Sequence, residues 1–192
     1  MRAIFLVTAI SLLGLQTVAF AKPIQTTKYR YNTINGNSAD EIYKAMIKRG
    51  PEVDGVNAYA STKANLQQEG KLQQVKTCLV SDYRVKLDFT ITLPKLKNEN
   101  ALKGQVKTQW QNFSAFVKTH EETHRTIWTN CAAKMEKQAV ALRVKTCDGL
   151  NQKTLKLWEQ MRKSCSREHA AFDAAEQKRL LKHPFIKLVR GR

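Results

Sequence analysis

The chain has 192 residues, 42% of them apolar, and carries 33 Lys and Arg against 16 Asp and Glu, for a formal charge of +17. That length suffices for one domain with a sizeable core. The positive surplus suits nucleic acid, anionic envelope surfaces or acidic partners, but the basic residues are spread along the chain without aromatic interleaving, which argues against nucleic acid.

Residues 1–21 have the form of a secretory signal. Arg2 supplies a positive start, Ile4 to Leu15 a short apolar core, and Ala19-Phe20-Ala21 an A-x-A cleavage site before Lys22-Pro23. The apolar run is too short and wrongly flanked for a membrane span. The mature chain, residues 22–192, is therefore expected in the periplasm or outside the cell, as one domain. In that oxidising setting Cys78, Cys131, Cys147 and Cys165 read as two disulfides, and the lack of C-x-x-C spacing argues against a cysteine zinc site.

Tyr29 to Thr33 alternates like a short strand, and Asn35-Gly36 supplies turn chemistry after it. Ser38-Ala39-Asp40-Glu41 is a capping-box pattern that opens a helix with Ile42, Ala45 and Met46 on one face. Gly50-Pro51 stops it. Between Val56 and Leu93 the period falls to two. Asn57 to Leu66 is a polar strand, Glu69-Gly70 a hairpin turn into Leu72 to Val80, and Val85 to Leu93 a cleanly alternating strand that Pro94 ends. Residues 22–94 thus predict a small antiparallel sheet with one short helix. Lys95 to Gly104 reads as a solvated connector.

Beyond it the chain is helical. One helix is predicted over 105–144 and a second over 150–182, with a reversal at Asp148-Gly149. Neither can bury its apolar stripe alone, so residues 105–182 should form an antiparallel hairpin packed on the sheet. The fold class is α+β. Residues 183–192, after the break at His183-Pro184, read as a basic tail of little structure.

The first long helix carries His120-Glu121-Glu122-Thr123-His124, which matches H-E-x-x-H. Residues four apart share a helix face, so both imidazoles can close on one ion, while the intervening Glu can act as base. This spacing also occurs by chance on solvated helices. Here, however, Trp110, Phe113, Val117, His120, His124, Ile127, Cys131, Met135 and Leu142 recur at three- and four-residue steps, which places both histidines on the apolar stripe.

A hairpin centred on Asp148 brings together residues equally far from it, because both helices rise at the same pitch. Cys131 and Cys165 satisfy that condition, which leaves Cys78 for Cys147; the two other pairings stay open on sequence. A catalytic zinc wants three protein ligands. The second stripe is Trp158, Met161, Cys165, His169, Phe172, Glu176 and Leu180, and the same register sets Glu176 opposite His120. Glu176 ranks first as third ligand, Asp173 second because it is rotated toward the edge, and His169 third.

The chain resembles a widespread bacterial domain of unknown function whose members are predicted secreted zinc-dependent proteases. The resemblance is carried by Tyr31-Asn32-Thr33-Ile34-Asn35-Gly36, Gly50-Pro51, the Cys78 strand, Thr92-Leu93-Pro94, His120 to His124, Cys147 and Phe172-Asp173. It implies a metallopeptidase. Similar sequences often continue with Thr and then His-Gly after a Tyr-Asp pair, whereas this chain has Ala174-Ala175-Glu176 after Phe172-Asp173. The resemblance therefore raises Asp173, while the stripe raises Glu176.

The leading expectation is a zinc-dependent peptide hydrolase of the envelope or exterior. His120, His124 and Glu176 or Asp173 would hold Zn²⁺, Glu121 would serve as general base, and the substrate would be a peptide or protein. Tyr83, His169 and His183 are candidates for an oxyanion donor. One rival is a non-catalytic basic envelope protein with a structural metal site that binds an anionic partner. Another is a metal hydrolase acting on an envelope amide.

Overall fold

The computed structural model describes residues 23–53 and 55–191. The signal-peptide reading of residues 1–21 lies outside them. From Ile24 the chain runs as strand β1 (Ile24–Ile34), helix α1 (Ala39–Arg49), the two-residue strands β2 (Glu52–Val53) and β3 (Val56–Asn57), and the long strands β4 (Ser61–Gln74) and β5 (Cys78–Leu96). A short 3-10 turn (Glu99–Ala101) leads into helices α2 (Gly104–Ala141), α3 (Cys147–Lys182) and α4 (Pro184–Val189).

The architecture is α+β, with long helices laid on a three-stranded sheet in the order β1-β5-β4. Ser38 caps α1 by accepting from the Glu41 amide at 3.2 Å, and the Glu41 carboxylate reaches back to the Asn37 amide at 2.8 Å. The reciprocal capping logic holds, displaced by one residue. Apolar alternation buries Val85, Leu87, Phe89, Ile91 and Leu93 of β5 beneath α2.

Four details differ from the sequence reading. First, β5 pairs antiparallel with β4 but parallel with β1, so the sheet is mixed. Alternation marks a strand without giving its direction, and here α1 and the β2–β3 hairpin intervene before the chain returns to the sheet. Second, Gly70 does not turn the chain. It sits in a bulge, where the β4–β5 register shifts between Glu69 and Lys71 and Asp82 opposite adopts φ 51°. A Cβ at Gly70 would lie 2.7 Å from a Val80 methyl, which explains the glycine without a hairpin. The bulge also flips the inward phase of β5, from Cys78 and Val80 to Tyr83 and Val85. The turn itself is Val75 to Thr77.

Third, Pro94 does not end β5, which continues to Leu96. The Lys97 amide donates to Ile34 of β1, so by alternation the missing Pro94 amide faces the other side, where the β4 ladder has already ended at Ser61–Thr92. The same alternation turns the Val85 amide toward β1, whose pairing begins only at Lys86. The buried carboxylate of Glu136 on α2 accepts that amide at 2.7 Å. Fourth, the expected tail is ordered. His183 Nδ1 accepts from the Phe185 amide and caps α4, and Phe185 stacks on Phe113 at 4.8 Å with Ile186 buried beside it.

Two apolar cores result. One joins Ile34, Ile42, Met46, Trp110, Phe113 and Phe185; the other joins Leu87, Phe89, Met135, Leu150, Met161 and the Cys131–Cys165 pair. The H-E-x-x-H turn of α2 lies between Val117 of the first and Cys131 of the second. Cys78 bonds Cys147 and Cys131 bonds Cys165, with no free cysteine among the described residues. The backbones of Cys78 and Val144 also exchange hydrogen bonds of 2.6 and 3.0 Å, so the tip of the helical hairpin is anchored to the start of β5. Among the described residues no helix is long and apolar enough to cross a membrane. The two disulfides fit an oxidising compartment.

The intact protein should titrate no thiol when denatured, and non-reducing peptide maps should link Cys131 to Cys165 and Cys78 to Cys147. Removing either bridge should cost about 2–4 kcal/mol of stability in chemical denaturation. A Cys131–Cys147 link would overturn the hairpin register.

Candidate metal centre

The inward positions of α2 step through Trp110, Phe113, Val117, Glu121, Ala132, Met135 and Ala139. Glu121 therefore occupies the buried stripe, at 5% exposure, while His120 and His124 stand partly exposed beside it and face α3. Periodicity places the histidines on the stripe itself; the structure sets them at its edge and Glu121 within it. A carboxylate in that position requires a donor, and β4 provides it: the Thr62 hydroxyl lies 2.7 Å from Glu121 Oε2 and 2.9 Å from the Glu121 carbonyl oxygen. Thr62 was not legible in sequence, because it falls in the polar 57–66 stretch whose strand signal is poor.

Across the hairpin α3 contributes Asp173. His120 Nε2 and His124 Nε2 are 3.0 Å apart, and Asp173 Oδ1 lies 3.3 and 3.1 Å from them. Three lone-pair atoms thus converge on one point, and these residues are the cluster able to share a metal ion among the described residues. Zinc ligands at about 2.0–2.1 Å in a tetrahedron stand about 3.3–3.4 Å from one another, so the observed triangle is close to the face such an ion requires.

The outer nitrogens point to the tautomers that leave both Nε2 atoms free. His124 Nδ1 is 2.8 Å from His169 Nδ1, and His120 Nδ1 is 4.0 Å from Glu176 Oε2. A proton on His124 Nδ1 serves His169, and one on His120 Nδ1 faces the Glu176 carboxylate without bonding to it, so both Nε2 lone pairs turn inward, as ligating histidines require. Phe172 stacks on His120 at 4.8 Å and meets His124 edge-on at 5.2 Å, while Trp128 packs on His169 at 5.0 Å. The rings are held by aromatic walls.

Burial shapes the protonation states. Desolvation lowers the His120 pKa, only partly offset by the carboxylates of Asp173 and Glu176. Desolvation brings His124 down to about 4, against the opposing pull of Asp173, with the neighbouring histidines adding to the fall. Both imidazoles are therefore neutral near pH 7, the form that ligates metal. Glu121 is pushed up to about 7 by burial, against the lowering effect of the Thr62 hydrogen bond. A carboxyl group with that pKa is suited to exchange a proton near neutrality.

The family model described as "Bacterial protein of unknown function (DUF922)" matches residues 29–180. The chain belongs to this family. The matched span of this DUF922 protein runs from β1 to the last turns of α3 and includes the cluster, Glu121, Thr62 and all four cysteines. No curated protein and no solved structure matches the chain.

The site of this DUF922 member sorts the remaining candidates. Asp173 rather than Glu176 joins the converging atoms. Glu176 is buried at the stripe centre, bonded to Arg179 at 2.6 Å, and stands on the outer side of His120. Both carboxylates line the larger cavity, but Glu176 stands by the outer nitrogen of His120, whereas Asp173 brings Oδ1 up to both Nε2 atoms. His169 lies behind His124. Tyr83 is buried in the second core, where its hydroxyl donates to Gln68 at 2.6 Å, and His183 caps α4. Neither Tyr83 nor His183 lines the cavities that reach the cluster.

Asp173→Ala should weaken zinc binding by more than about 100-fold, and Glu176→Ala by about 10-fold at most, as expected for a ligand and for a nearby carboxylate that supports His120. Competition titration with a chelating dye measures both. A larger loss in Glu176→Ala would restore the ranking drawn from the stripe.

Proposed function

We propose that this protein is a zinc-dependent hydrolase of the periplasm or cell exterior and that it cleaves peptide bonds. The observation that carries the reading is the triangle of His120 Nε2, His124 Nε2 and Asp173 Oδ1 beside a buried carboxylate, Glu121, which is fixed by Thr62. Two imidazoles and one carboxylate are a donor set suited to zinc, and three protein ligands leave a position open. The disulfides and the A-x-A site near Ala21 support export.

Zinc held there would make water more acidic and polarise a scissile carbonyl. Glu121 takes one proton from the attacking water, whose oxygen bonds to the carbonyl carbon. As the C–N bond breaks, Glu121 returns that proton to the departing nitrogen, so water is added across the bond and the Glu121 carboxylate is restored for the next turnover. Thr62 keeps Glu121 aimed during both transfers. His169 holds the orientation of His124, and Phe172 stacked on His120 holds the other ring.

The formal charge of +17 favours a second reading, a non-catalytic module that binds an anionic envelope partner around a structural metal. The carboxylate of Glu121 separates the two. Purified mature protein should carry about one zinc per chain, and His120→Ala and His124→Ala should lose it. Glu121→Gln should keep zinc and fold while hydrolysis of an unstructured protein substrate falls by about 100- to 10,000-fold. Equal metal content in wild type and both histidine variants would show the motif to be fortuitous. Full activity in Glu121→Gln would remove it as the base.

A further inference from the structure

Two cavities meet over the cluster, and they are unlike. The one toward the second core, about 350 Å³, is lined by Ser61, Thr62, Trp128 and His169 around His124. The one toward the first core, about 480 Å³, has walls of Ile47, Tyr59, Phe116, Val117 and Leu180 and a floor at His120, Glu121 and Glu176. Both share Ala58, Ala60, His120, Glu121 and Asp173, so they form one cleft with the reacting groups at its waist. The larger half is in the size range of specific ligand sites and is mostly hydrocarbon.

The rim carries further exposed apolar surface. Val56 of β3, 69% exposed, and Ile47 of α1, 39% exposed, line the larger cavity. Val53 of β2, 41% exposed, lines the smaller one. Apolar side chains left in water on both sides of a concave site mark a surface that another molecule covers. The pocket walls are also stiff. Tyr59 packs edge-on against Phe113 at 5.7 Å, Arg179 lies over the Phe116 ring, and Val117 belongs to the first core. The connector residues 58–60 complete the lining, and Tyr59 pins that connector to the first core.

We propose that this cavity is a side-chain pocket which selects polypeptide substrates with a bulky apolar residue, Leu, Phe or Met, next to the cleaved bond. The proposal rests on the hydrolase reading and specifies its substrate. The small side chains of Ala58 and Ala60 leave room for an extended chain to cross the waist, where its scissile carbonyl would meet Glu121. The adjoining side chain then enters the larger cavity, where Leu180 and Phe116 close around it. The floor carboxylate of Glu176 is held by Arg179, which leaves the hydrocarbon walls as the dominant recognition.

The test uses zinc-loaded mature protein and a set of peptides that differ at one position, Leu, Phe, Met, Ala, Lys or Glu. Cleavage is read by mass spectrometry, and binding to the Glu121→Gln protein is read by fluorescence anisotropy. Leu, Phe and Met peptides should exceed the Ala peptide by about 10- to 100-fold in kcat/KM and in affinity, the ratio expected for burying such a side chain. Leu180→Trp, which fills the cavity, should abolish the preference, while circular dichroism checks its fold. Should Leu180→Trp fail to fold, Phe116→Ala tests the same wall by shifting the preference from Leu toward larger aromatic residues. Cleavage with no apolar preference, or with preference for Lys, would overturn the pocket and leave the hydrolase standing. Selective binding to Glu121→Gln without cleavage by wild type would support the pocket and remove the peptidase reading. Absence of both binding and cleavage would overturn both.

Discussion

The structure turns on a carboxylate that should not be comfortable where it is. Glu121 lies at 5% exposure on the inward stripe of α2, in a place where the positions a turn or more away hold Val117 and Cys131. Burying an ionised carboxylate without partners is costly, and the group responds by holding its proton more tightly, up to about pKa 7. The Thr62 hydroxyl meets part of that cost. This contact requires β4 to run alongside the middle of α2, and so ties the sheet to the helix at a polar level between the two cores. Apolar cores lie to either side of it, and a second buried carboxylate, Glu136, meets the Val85 amide alongside the second core.

Such an interface needs its register guarded, because polar groups between two cores would be lost by a slip of one turn. The disulfides supply the guard. Cys131–Cys165 bolts α2 to α3 about two turns from His124, and Cys78–Cys147 bolts the hairpin tip to the central strand. Fixing the two helices against each other fixes Asp173 between His120 and His124, where a shift of one residue would rotate it away. Aromatic packing by Phe172 and Trp128 then sets the imidazole planes. Covalent staples thus hold the backbone and ring contacts hold the donors, the rigid support a metal site needs.

Sequence reading succeeded where the chemistry is local. The spacing of His120 and His124 follows from the helical repeat, and equal distance from the hairpin tip paired the cysteines because both helices share one pitch. It faltered where an element takes its meaning from a neighbour. Gly70 looks like a turn residue until Val80 is seen against it. Pro94 looks like a stop until the β4 ladder is seen to have ended. The 183–192 segment looks like a solvated tail until Phe113 and Trp110 offer Phe185 a place to pack.

By itself the sequence determined the α+β class, the long hairpin and the common face of His120 and His124, and it favoured the cysteine pairing that the structure shows. Each of these depends on periodicity or on distance counted along one chain. Only the tertiary structure decided that Asp173 rather than Glu176 joins the two histidines, that Thr62 holds Glu121, and that an apolar cavity opens beside them. Those outcomes depend on how far each helix is rotated about its own axis and on which strand lies beside it. Both quantities are set by the packing of the two cores, and no spacing within a single helix contains them.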